Sequence, residues 1–93
     1  MSLHTVTNVV DDDTFDVSPG VYWSGKNYTR IRPTGFNSPE LKSHAGLVAK
    51  AALEKLILDK QIEIRDKHTE SYGRLVCDVY FQGRNLASYF PRY

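Results

Sequence analysis

Ninety-three residues make one small domain, read here as a single unit over 1–93. Apolar residues at 41% and charged residues at 25% exclude a disordered chain, a collagen-like repeat and a coiled coil, and no apolar run nears the roughly 20 residues of a membrane span. Twelve Lys and Arg against 11 Asp and Glu leave a net charge of +1, so a basic site has to be local, and the lone Cys77 excludes an internal disulfide and a cysteine-built zinc site.

Met1-Ser2-Leu3 has neither the basic region nor the apolar core of a signal peptide, and both a cloning scar and a trimmed leader stay open, so the compartment is unknown. His4 to Val10 alternates polar and apolar residues with β-branched side chains and predicts a half-buried strand. Asp11-Asp12-Asp13 breaks it, and Thr14 to Val17 resumes the pattern. Ser18-Pro19-Gly20 reads as a turn, Val21-Tyr22-Trp23 as hairpin packing, and Ser24-Gly25 as a second turn. Asn27 to Phe36 is extended, with Pro33 predicting an edge or irregularity because proline donates no ladder bond.

The strong helix signal covers His44 to Leu58. Ala45, Ala49, Ala52, Leu53, Leu56 and Ile57 share one face, Lys50, Glu54 and Lys55 stay on the polar side, and Ser43 is the expected N-cap. Gln61 to Arg65 alternates as a strand, His68 falls in the predicted loop, and Leu75 to Phe81 is a final strand closed by Gln82-Gly83. A short helix starts after Asn85. Three strands, one helix and two strands, mostly β, fit a five-stranded OB-fold barrel.

Three segments carry candidate chemistry: Val10 to Thr14 (V-D-D-D-T), Ile31 to Glu40 (I-R-P-T-G-F-N-S-P-E) and Tyr72 to Arg74 (Y-G-R). Each alone has a plain structural reading, as a solvated turn, a helix entry and a glycine turn. Together with G-L-V-A-K-A-A-L from Gly46 and Y-G-R-L-V-C-D-V from Tyr72, in this order, the chain resembles the staphylococcal nuclease (thermonuclease) family. That family's counterparts are I-D-G-D-T, V-R-L-I-G-I-D-T-P-E, G-x-E-A-K-x-x-L and D-x-Y-G-R-x-L-A-x-V. The matched segments run over residues 5 to 90.

The resemblance implies Ca²⁺-dependent hydrolysis of phosphodiester bonds in DNA and RNA, with nucleic acid as partner and no membrane. It places Arg32, Glu40 and Arg74 at the catalytic positions, Tyr72 beside the substrate, and Asp13, Asn37 and the Ser38 carbonyl at the metal. The residue types suit that chemistry. Attack on phosphorus builds charge on the equatorial oxygens, which two permanently charged guanidinium forks can hold. A carboxylate can take a proton from water or orient it. A hard cation takes oxygen ligands.

Asn37 stands where the family has aspartate, and Pro33 where it usually has leucine. The sequence ends at Tyr93, ahead of the family's C-terminal helices. Those departures define the rival reading, a non-catalytic nuclease-like module that binds nucleic acid or protein. The apolar tail Leu86, Tyr89, Phe90 and Tyr93 leads to the further expectation of a homodimer through that tail. Cys77, in a strand pattern, is expected as a small buried hydrophobe.

Overall fold

The computed structural model describes residues 2–11, 13–35 and 44–89. It contains β1 (Ser2–Asp11), β2 (Thr14–Trp23), β3 (Lys26–Pro33), α1 (His44–Ile57), β4 (Gln61–Ser71), β5 (Arg74–Phe81), β6 (Arg84–Asn85) and a single 3₁₀ turn at Leu86–Tyr89. β3, β2, β1, β4 and β5 are neighbours in that order, and a parallel pairing of β3 with β5 closes the ring. The result is a five-stranded barrel of the OB type, with β6 hydrogen-bonded to β5 outside it.

The interior is filled by Val6, Phe15, Ile31, Ile62, Ile64, Leu75 and Cys77, each at most 2% exposed. α1 lays Leu53 and Ile57 against this core, with Ala49, one turn earlier, also buried. Burial pushes the Cys77 thiol up to about 12, which keeps it a neutral packing group and not a nucleophile. Of the tail, Leu86 and Tyr89 pack on the barrel, while Phe90 and Tyr93 lie outside the described residues. Leu86 is fully buried, and Tyr89 donates its hydroxyl to the Phe81 carbonyl at 3.0 Å.

Three expectations need correction. Ser18-Pro19-Gly20 is not a chain-reversing turn but part of β2. Between Asp16 and Val21 the register shifts by three residues against β3, so the proline sits where no ladder bond is asked of it. A Cβ on Gly20 would lie 2.6 Å from Nδ2 of the exposed Asn27 side chain, which would have to turn away. β4 runs on to Ser71, because two register shifts after Ile64 let it stay paired to β5 while breaking its alternation. His68 is therefore a strand residue and not a loop residue. Ser43, the expected N-cap, lies outside the described residues.

Candidate active site

β4 and β5 are joined by Tyr72-Gly73, both with positive φ (53° and 81°), the requirement of a type I′ hairpin turn. Gly73 takes this conformation freely, and its N–H donates to Glu70 Oε2 at 2.6 Å. The turn makes Arg74 the first residue of β5, opposite Ser71. The parallel pairing then sets Ile31 beside Leu75 and Arg32 beside Val76, two residues past Arg74 on the same outward face of β5.

Both arginines meet Asp13, in the turn between β1 and β2. Arg32 Nε donates to Asp13 Oδ2 at 3.4 Å. Arg74 Nη1 lies 3.9 Å from Asp13 Oδ1 and donates to Thr14 Oγ1 at 3.3 Å, while the Thr14 hydroxyl donates to Asp13 Oδ1 at 2.9 Å. Arg74 Nε is fixed by the Ser71 carbonyl at 3.2 Å. Among the described residues two guanidiniums share the Asp13 carboxylate, and the Arg32 and Arg74 side chains are still 36% and 22% exposed. That suits an incoming dianionic or monoanionic phosphoryl group. Thr14 is buried and bridges Asp13 to Arg74, a role the sequence reading missed although the residue closes the V-D-D-D-T segment.

Tyr72 is almost fully exposed at the turn, with the Arg74 guanidinium 5.9 Å from its ring centre. Asn37, Ser38 and Glu40 lie outside the described residues, as does Asp12. Among the described residues no three His, Cys, Asp or Glu side chains gather as a metal site. Among the described residues the rim carries the Asp13 carboxylate, an oxygen donor of the type a hard cation takes.

A second polar cluster stands just beyond the rim, where Thr34 follows β3. The Thr34 hydroxyl and His68 Nε2 (3.0 Å) both bond Asp78 Oδ1, and the Thr34 N–H donates to the Cys77 carbonyl at 2.9 Å. The Thr34 bond, reinforced by the His68 bond, holds the Asp78 carboxyl below its ordinary value of 3.8. The ionised carboxylate is thus favoured in the fold. Its contribution to stability is fully present above pH 3.8 and is lost as pH falls through the lower folded value. Asp78→Asn should therefore lower the melting temperature at neutral pH, with the gap to the parent closing below pH 3.8. Circular dichroism melts from pH 7 to pH 2 check this, and a gap that persists at pH 2 would contradict it.

The comparisons with known proteins now bear on this rim. No family model matches the chain. Over 51 residues, 55% of the chain, it is 41% identical to a protein of Oryza sativa subsp. japonica named "Probable staphylococcal-like nuclease CAN2". Over that stretch the chain is similar to a staphylococcal-like nuclease. The matched stretch is 14% of the rice protein's length, so the chain spans only a small part of that longer protein. That similarity and the closed OB-type barrel agree with the resemblance carried by the motifs.

Proposed function

We propose that the chain hydrolyses phosphodiester bonds of DNA or RNA with the help of Ca²⁺. The observation that carries this reading is the meeting of Arg32 and Arg74, from two different strands, on one rim around Asp13. In the proposed reaction the two guanidiniums hold the phosphoryl oxygens as charge builds in the trigonal-bipyramidal transition state. The Glu40 carboxylate accepts a proton from the attacking water or orients it. Tyr72 offers a hydroxyl and a ring face to the flanking nucleotide. When bound, Ca²⁺ supplies Lewis-acid polarisation of a phosphoryl oxygen; Asp13, Asn37 and the Ser38 carbonyl are its proposed holders.

Incubation of labelled single-stranded DNA and RNA with the protein and Ca²⁺ should give shortened products. Retardation on a gel without shortening would favour the rival, a module that binds without cleaving. The metal assignment has its own test. Asn37→Asp adds a carboxylate and should tighten Ca²⁺ binding by about tenfold or more in calorimetry, since charge count sets the affinity of oxygen sites. Equal affinity in the two forms would move the ligand elsewhere.

The proposed homodimer would join the tail sides of two copies. There an open apolar groove of about 440 Å³ runs between Ala52, Lys55 and Leu56 of α1 and Tyr89. Light scattering at micromolar concentration should give twice the 10.6 kDa chain mass, and a mass of one chain would refute the dimer.

A further inference from the structure

We propose that Arg30 is a second phosphate site, which takes the phosphodiester next to the one held by Arg32 and Arg74 on a single strand of nucleic acid. This rests on the reading of the Arg32–Arg74 rim as a phosphate site. The two arginines are two residues apart on β3, with fully buried Ile31 between them, so they leave the same outer side of the strand. Two residues of strand cover about 6.8 Å, a span close to that between successive phosphates along one nucleic-acid strand.

The Arg30 arrangement repeats that of Arg32. Asp16 of β2 lies opposite Arg30 and accepts its Nε–H at 3.1 Å, as Asp13 accepts the Nε–H of Arg32. Nε is the inner nitrogen of the guanidinium. A bond through it aims the side chain and leaves the four terminal N–H donors outside that contact. The Arg30 side chain is 50% exposed, more open than Arg32 at 36%. Two aimed guanidiniums on one strand face form a short track along which a backbone can lie. Arg30 then adds affinity for longer substrates, and Asp16 keeps it pointed outward.

The test is binding of a fluorescein-labelled oligothymidylate of eight nucleotides, followed by anisotropy over a range of salt concentrations in chelator. Arg30→Gln should weaken binding several-fold at low salt. It should also reduce the slope of log affinity against log salt by about 0.7, the value of one lost contact to a single strand. Lys60→Gln serves as control, because Lys60 precedes β4 at the end away from the Ser71–Arg74 pair. It should leave the slope unchanged. Against an oligomer with neutral methylphosphonate linkages, Arg30→Gln should have no effect. Arg30→Lys should retain most of the affinity, which guards against a folding artefact. Equal slopes for Arg30→Gln and the parent, or the same loss in Lys60→Gln, would overturn the proposal. A parent that binds with the Arg30-dependent slope but does not cleave with Ca²⁺ would refute the nuclease reading and leave this site standing.

Discussion

Arg74→Ala should cut turnover on single-stranded DNA by a factor on the order of 10² or more, and Arg32→Ala should do the same. Arg74 is the better anchored of the two. Its Nε is tied to the Ser71 carbonyl and its Nη1 to Thr14, so the charge arrives at the rim already oriented. Among the described residues, Arg32 is held by its bond to Asp13. If both serve one phosphate, the double variant should lose less than the product of the single losses, because a half-assembled fork has already forfeited part of what the second arginine supplies. Glu40→Ala should lose turnover on the same scale, through loss of the proton acceptor. Steady-state rates on a defined oligonucleotide, with circular dichroism to confirm the fold, measure all four variants. Unchanged turnover in any single variant would remove that residue from the mechanism.

Phe15→Ala should have the largest effect on stability. Phe15 is fully buried at the start of β2, pairs with Val9 and Ile31, and lies two residues from Asp13. Truncation of a buried phenylalanine costs about 3–5 kcal/mol. Total stability of a small domain is only about 5–15 kcal/mol. The melting temperature should fall by at least roughly 12 °C, and the Arg32–Asp13 geometry should loosen with it. A drop of a few degrees in a thermal melt would show that Phe15 is not packed as described.

The elements most legible from sequence are those with unbroken periodicity. α1 stands out because Ala49, Leu53 and Ile57 repeat at one helical turn, and β5 because Leu75, Cys77, Val79 and Phe81 are buried at every second position. β2 and β4 are less legible because each carries register shifts that locally break the alternation while the pairing continues. Of the candidate site, Arg32, Arg74 and Asp13 are findable through the motifs they belong to. Their convergence is not, since it depends on β3 and β5 pairing in parallel across more than 40 residues of chain. The Thr34–Asp78–His68 cluster is hidden for the same reason. Its members are 44 and 10 residues apart, and each looks like an ordinary surface residue until the barrel closes.

In the proposed reaction two arginines from separate strands act with Ca²⁺ on one phosphodiester. The most direct test is single-turnover cleavage of single-stranded DNA by the purified parent and by the Arg32→Ala/Arg74→Ala double variant, each in Ca²⁺, in chelator, and after Ca²⁺ is restored. Cleavage by the parent should stop in chelator and resume with Ca²⁺, and the double variant should give none above background. Cleavage that persists in chelator, or that the double variant retains, would contradict it.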